Sequence, residues 1–401
     1  MKYVVLVPDG MAGLPIEELD DRTCMERANT PRMDMIASKG VVGMARNVPK
    51  GMIPASDVAN LSILGYDPKK YYCGRGPLEA ANLGVELKEN DVAFRFNTVT
   101  VGDGKMVDYC AGHISTKESG VLTDLLSKEI GGGKFSFYTG TSYRNLMVAH
   151  CAGPEEADNL AKLKCVPPHD INGKSVSRYF PKDPEITDIM KRSMSILDGT
   201  DINKVRVDLG QNPANMIWIW GQGKKPDMPL FRDAYNVSGG VISAVDLIKG
   251  MGRVLGMEVA DVPGATGYYD TNYEGKAAAA LKILEEKDLV FIHVEAPDEA
   301  GHNGDIREKI RAIENFDRKI TGPVIDTLTD GGCGYRVMIV PDHPTPIKLR
   351  THTSDPVPFA MAGAGIEPDE VTVFTERASK AGSMGVMTGS DLMKKLLSKE
   401  W

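Results

Sequence analysis

The chain has 401 residues, 42% apolar and 25% charged, with a formal net charge of −8. That is material for a sizeable core, and the length exceeds one typical domain. The negative balance argues against nucleic acid or an anionic membrane as partner, so an anionic small molecule would need a local cationic pocket.

Tyr3-Val4-Val5-Leu6-Val7 reads as a buried strand that stops at Pro8-Asp9-Gly10. This start leaves no room for a secretory leader, and no run approaches the roughly 20 apolar residues of a membrane helix, so a cytoplasmic protein is expected. The six cysteines show no C-x-x-C spacing and read as reduced and structural. Asn29-Thr30-Pro31 predicts a helix start capped by Thr30, with Gly40 as its stop. Val41 to Val48 predicts a second strand. Ser56-Asp57 opens a short helix that Gly65 closes. Ser56 reads as its N-cap, but a hydroxyl at a helix N-terminus is also where a nucleophile or phosphate meets free N–H groups, and the two roles can coincide.

From Cys73-Gly74-Arg75-Gly76-Pro77 to about Pro229 the pattern changes to short alternating strands, such as Asp91 to Val99 and Phe135 to Tyr138, around Gly131-Gly132-Gly133. This predicts an α+β domain, residues 76–235, inserted into a discontinuous core of 1–75 and 236–401, since a long insertion costs little chain entropy. Helical spacing resumes over Val241-Ile242 to Leu255 and again over Tyr273 to Lys287. Leu289 to Val294 is a strand followed by Glu295-Ala296-Pro297-Asp298. His302, four residues on, shares a face with Asp298 if that turn is helical. His293, inside the strand, reads as a hydrogen-bonded core histidine. Asp305 caps a long helix with Ile306, Ile310, Ile313, Ile320, Val324 and Leu328 inward. Val337 to Val340 stops at Pro341-Asp342-His343-Pro344, His352 follows nine residues later, and Ser390 to Lys399 is a short amphipathic helix.

Three buried-type strands therefore lead into aspartates. At the carboxyl ends of parallel strands such residues converge, bringing Asp9, Asp298 and Asp342 together with His302, His343 and His352. Six donors exceed what one transition-metal ion usually takes from protein, so two ions are the natural count. Two cations held by Asp and His suit phosphoryl transfer, with Ser56 as the nucleophile, and leave hydrolysis and transfer both open.

These residues resemble the alkaline phosphatase superfamily, and more closely the archaeal-type cofactor-independent phosphoglycerate mutases. The likeness runs through Val7-Pro8-Asp9-Gly10, Ser56-Asp57-x-Ala59, Gly74-Arg75-Gly76-Pro77, Asp108-Tyr109-x-Ala111-Gly112-His113, Pro167-Pro168-His169-Asp170, Tyr273-Glu274-Gly275-Lys276, Glu295 to His302, Pro341-Asp342-His343-Pro344 and His352-Thr353. It implies a mostly parallel sheet sandwiched by helices, with an inserted domain that grips the substrate. It implies an isomerase that interconverts 3-phosphoglycerate and 2-phosphoglycerate without 2,3-bisphosphoglycerate, through a phosphoserine at Ser56. One metal would sit on Asp298, His302 and His352, the other on Asp9, Asp342, His343 and the Ser56 oxygen. Manganese is the expected ion, with zinc, cobalt or magnesium as alternatives. His113, Arg144, His169, Asp170, Arg75 and Lys276 would contact the substrate, and monomer and homo-oligomer stay equally open. A metal-dependent phosphomonoesterase, or a mutase for another small phosphate or phosphonate, is the alternative. The sequence departs from the family in having Pro54-Ala55 before Ser56, where a glycine is usual, and Asn60 where a histidine is expected. A positive φ at Ala55 would be costly.

Overall fold

The computed structural model describes residues 1–401. In chain order its strands are β1 (Lys2–Pro8), β2 (Gly40–Arg46), β3 (Asp91–Gly102), β4 (Lys105–Asp108), β5 (Phe135–Tyr138), β6 (Arg144–His150) and β7 (Met216–Lys224). There follow β8 (Gly239–Ile242), β9 (Glu258–Ala260), β10 (Leu289–Val294), β11 (Tyr335–Ile339), β12 (Val357–Gly363) and β13 (Val386–Thr388). The chain divides into two compact units, Met1–Tyr72 with Met228–Trp401, and Cys73–Asp227. The segment after Met228 belongs to the first unit because Tyr66 donates to the Pro229 carbonyl at 3.0 Å and Tyr235 to the Gly65 carbonyl at 2.7 Å. No helix is long and apolar enough to cross a membrane.

The first unit is built on an eight-stranded sheet ordered β13-β2-β12-β11-β1-β10-β8-β9. β1 is parallel to β10 and β11, and β10 to β8, whereas β12 runs antiparallel to β11 and β2. Strands covered on both faces must be apolar nearly throughout, and Val4 to Val7 and Leu289 to Ile292 are fully buried. The register aligns Pro8 with Val294 and Leu6 with Ile339. The segments that follow β1, β10 and β11 and carry Asp9, Asp298 and Asp342 therefore leave the sheet at one edge, where ligands gather in open α/β sheets.

Several local expectations change. Val241 and Ile242 belong to β8, and the helix begins only at Asp246. A short apolar run satisfies both periods, and burial against β10 selected the strand. The helix after Asp305, which does cap it, is broken by a π turn over Asp317–Thr321. Thr30 makes no capping bond. The Asp317 carboxylate caps that helix instead, accepting from the Arg32 and Met33 amides at 3.3 and 2.7 Å. Gly40 is not a helix stop but the first residue of β2, where a Cβ would lie 2.8 Å from the Ala362 Cα of β12.

The second unit has a five-stranded antiparallel sheet in which β3 pairs with β4, β6 and β7, and β5 forms an edge beside β6. Phe94, Phe96, Met147, Ile217 and Ile219 lie on one face of the sheet and belong to one buried cluster, with helix Pro184–Leu197 packed on β7 and helix Thr116–Glu129 on β5. Helix Arg75–Asn82 packs on the sheet through Ala80, which joins Ala93, Leu146 and Val148 in a separate cluster.

Candidate active site

At the sheet edge of the first unit, β1 delivers Asp9, the loop after β11 delivers Asp342 and His343, and helix Ala296–Asn303 carries Asp298 and His302 one turn apart. The three carboxylates and His343 are buried. Donor atoms of Asp9, Asp342 and His343 lie within 4.8 Å of one another, and so do those of Asp298, His343 and His352. His302 Nε2 is 3.1 Å from Asp298 Oδ2 and 2.9 Å from His352 Nε2. Ser56 Oγ lies 3.2 Å from His343 Nε2. Seven residues picked from the sequence thus meet within one unit.

Ser56 is not the helix cap. Ala55 holds that position with extended backbone, φ −160°, and no side-chain bond. Ser56 is the first helical residue, so its hydroxyl is not committed to capping. The extended φ also explains why alanine is tolerated there. Asn60, one turn on, donates through Nδ2 to the Ser56 carbonyl at 2.9 Å and to Asp342 Oδ2 at 3.0 Å. Position 60 thus ties the Ser56 helix to a carboxylate, a role the sequence left open.

The imidazoles are oriented from outside the cluster. His302 Nδ1 faces the Arg350 carbonyl at 3.0 Å, His352 Nδ1 the Pro54 carbonyl at 3.3 Å, and His343 Nδ1 the Thr345 hydroxyl at 3.4 Å. An outer acceptor that holds the Nδ1 proton leaves the Nε2 lone pair pointing inward, as metal-ligating histidines require. Asp342 Oδ1 accepts from the Gly10 and His343 amides at 3.0 and 2.8 Å. Thr345 Oγ1 donates to Asp298 Oδ1.

The electrostatics call for cations. Two ionised carboxylates within 4.8 Å of each other repel by at least about 3 kcal/mol at an effective dielectric constant of about 20. Burial, and then the neighbouring Asp342 and Asp298 charges, hold the Asp9 carboxyl well above the usual range. Asp9 Oδ1 is buried without a hydrogen-bond partner. Burial alone would raise Asp298 too, but bonds from His302 and His352 hold it well below the usual range. His302, which burial would push down, is instead held up at about 9, chiefly by its bond to Asp298. A cation bound there would displace the His302 Nε2 proton and take over the imidazolium's charge beside Asp298. Convergent Nε2 lone pairs, an orphaned carboxylate oxygen and clustered buried acids fit two divalent ions with mixed N and O donors.

Several supporting residues carry no sequence signature. Lys309, 1% exposed, donates through Nζ to the carbonyls of Gly10 at 2.8 Å, Thr345 at 2.6 Å and Ala12 at 3.4 Å. It fastens the Asp9 loop to the Asp342 loop. Gly10, φ +60°, must be glycine because a Cβ would meet Thr345 Oγ1 and the Asp298 backbone. Asn47 Nδ2 donates to the Pro341 and Asp342 carbonyls, both at 2.9 Å. His293 is fully buried, as the strand pattern predicts, with Nε2 3.0 Å from Asp9 Oδ2 and Nδ1 3.2 Å from Ser243 Oγ. Lys276, expected to touch substrate, is instead fully buried, its Nζ donating to the His293 carbonyl at 3.2 Å. It supports the end of β10.

In the second unit the other predicted contacts share one face. The Arg75 and Arg95 guanidiniums stand over the Trp220 ring at 5.3 and 4.8 Å. His169 packs edge-on to Trp220 at 5.5 Å and to Tyr109 at 6.0 Å. Tyr143 continues the row, with Arg144 over its ring at 5.0 Å and His113 edge-on at 6.0 Å. Asp170 lies 3.7 Å from His169. Burial lowers the Arg95 pKa, and nearby Arg144 and Arg75 add to the effect against Glu79, whose carboxylate is 3.1 Å away. Clustered guanidiniums attract an anion. Ala111, Gly112 and His113 all have positive φ. This strained turn is held by the Asp108 carboxylate, which accepts from the Cys110 and Gly112 amides at 2.9 and 2.6 Å, and by Arg206, which donates to the Ala111 carbonyl at 2.6 Å. Strain so over-determined is typical of functional turns.

Comparison with known proteins adds the chemistry these relatives are named for. The sequence profile described as 2,3-bisphosphoglycerate-independent phosphoglycerate mutase matches residues 37–203. A protein of Methanothrix thermoacetophila with that name is 51% identical, over 99% of this chain and 100% of its own. Among solved structures, a Pyrococcus horikoshii protein superposes with a TM-score of 0.83 at 30% identity, covering 100% of this chain and 98% of the other. The cofactor-independent phosphoglycerate mutase of Thermoplasma acidophilum does so with a TM-score of 0.66 at 29% identity, covering 99% of each chain.

Proposed function

This chain belongs to the 2,3-bisphosphoglycerate-independent phosphoglycerate mutase family, and from that premise we propose that it interconverts 3-phosphoglycerate and 2-phosphoglycerate through a phosphoserine at Ser56. The observation that carries the reading is the meeting of Asp9, Asp298, Asp342, His302, His343 and His352 beside the Ser56 hydroxyl. Two divalent cations, one on Asp298, His302 and His352 and one on Asp9, Asp342, His343 and Ser56 Oγ, would lower the hydroxyl's pKa and neutralise phosphoryl oxygens.

The chain's own groups supply the rest. Ser56 Oγ, freed from capping, attacks phosphorus in line with the leaving hydroxyl oxygen of the glycerate. The first N–H groups of helix Ser56–Ile63 meet the phosphoryl oxygens, as helix N-termini do. Asn60 holds Ser56 in register with Asp342. Arg75, Arg144, His113, His169 and Asp170 hold the glycerate carboxylate and hydroxyls. Retained glycerate then presents its other hydroxyl, and phosphoserine returns the group to it.

With manganese and no added bisphosphoglycerate, the purified protein should convert 3-phosphoglycerate to 2-phosphoglycerate and release little free phosphate. Stoichiometric phosphate release without isomerisation would instead identify a phosphomonoesterase.

A further inference from the structure

The second unit carries a constellation that phosphoryl transfer leaves unused. At one end of its sheet Asp91, first in β3, pairs in register with His150, last in β6, and the edge strand β5 places Ser136 opposite Val148. His150 Nδ1 lies 2.8 Å from Asp91 Oδ1, and His150 Nε2 lies 2.9 Å from Ser136 Oγ. Asp91 is 3% exposed, and its other oxygen accepts from the Lys88 amide at 2.9 Å, so the carboxylate is fixed. The imidazole side chain is 33% exposed, and Ser136 is half-buried on the edge strand.

A ladder of cross-strand hydrogen bonds could employ the same residue types to close a sheet edge, but such a ladder needs no particular order. Here the order is buried acid, Nδ1, Nε2, hydroxyl. An ionised Asp91 accepting from Nδ1–H leaves the Nε2 lone pair to receive the serine proton. All three groups stand on adjacent paired strands, which hold such geometry better than loops.

We propose that Ser136, His150 and Asp91 form a second nucleophilic site, which accepts acyl groups from small activated esters. Ser136 Oγ attacks the ester carbonyl carbon while its proton passes to His150 Nε2. The bond to the alcohol oxygen breaks, and the imidazolium returns the proton to that oxygen, leaving acyl-Ser136. Water then attacks the acyl carbon, with His150 again taking a proton and returning it to Ser136 Oγ as the carboxylic acid departs. Ester and water become acid and alcohol, and Asp91 stays ionised throughout. General-base assistance of this kind is worth about 10²–10⁴-fold, so substrates with good leaving groups are the class served.

The test uses the full-length protein and a fluorophosphonate, which transfers its phosphonyl group to an activated serine and loses fluoride. Peptide mapping follows Ser136 separately from Ser56. An adduct on Ser136 is expected. It should vanish in Ser136→Ala with isomerisation unchanged, and form about 100-fold more slowly in His150→Gln and Asp91→Asn, as loss of the base requires. Absence of the adduct, or an unaltered rate in His150→Gln, would overturn the proposal. Ser136→Ala and His150→Gln alter only partly exposed side chains and keep the test decisive if Asp91→Asn fails to fold.

Discussion

Replacing Lys309 by methionine keeps the side chain's length and deletes its charge, which isolates the tie between the Asp9 and Asp342 loops. The two short bonds, at 2.8 and 2.6 Å, leave carbonyls in a closed interior when lost. At about 2 kcal/mol for each unpaired acceptor, less about 1 kcal/mol for the added apolar contact, the cost is about 3 kcal/mol. For a unit of this size that lowers the melting temperature by roughly 6–12 °C. Gly10, whose amide holds Asp342, and Thr345, whose hydroxyl holds Asp298, both loosen. Manganese should then bind about 10–100-fold more weakly, as when support of ligating groups is removed. Removing a positive charge by itself favours cation uptake, so the prediction is specifically that loss of the tie outweighs it. Scanning calorimetry of the metal-free protein and titration calorimetry with manganese read the two effects. An unshifted melting temperature together with unchanged or tighter binding would refute the reasoning.

Asn60→Ala removes the link between the Ser56 helix and Asp342, and turnover at saturating manganese should fall about 10–100-fold with the fold intact, measured by isomerisation rate and circular dichroism. Gly10→Ala places a methyl group against Asp298 at a positive φ and should lower both melting temperature and bound metal per chain. Burial raises Asp317 to about 6. The folded state then binds this proton more tightly than the unfolded chain, so the contribution is present below about pH 4 and fades as pH rises through about 6. Melting temperatures of Asp317→Asn should accordingly depend less on pH between 4 and 6 than those of the unaltered chain.

The site's main donors were legible because each follows an apolar run that parallel pairing requires, and an abrupt Asp or Asp-His pair after such a run is conspicuous. Lys309 was not legible. It sits on an ordinary amphipathic helix, and its partners Gly10 and Ala12 are almost three hundred residues away in sequence. Thr30 failed as a cap for the same reason, since Asp317 reaches its helix from an equally remote position. The strand at Val241 was lost in the ambiguity of a short apolar segment, which only its partner β10 resolves. Lys276 was expected at the substrate from the family resemblance, which carries a residue's type and place in a motif but not its burial, and in the fold it lies closed in beneath β10 with its Nζ on the His293 carbonyl. Arg95 and Trp220, which complete the cationic face of the second unit, carried no motif: Arg95 lies inside the alternating strand read from Asp91 to Val99, and its partner Trp220 comes from a strand more than a hundred residues on.

The central claim is that Ser56 itself carries the phosphoryl group between the two positions of the glycerate. Acid quenching of the enzyme at equilibrium with 3-phosphoglycerate, followed by peptide mass spectrometry, tests it directly. A phosphoryl adduct on Ser56 that vanishes, together with isomerisation, in Ser56→Ala is the predicted result. Full isomerisation by Ser56→Ala would contradict the account.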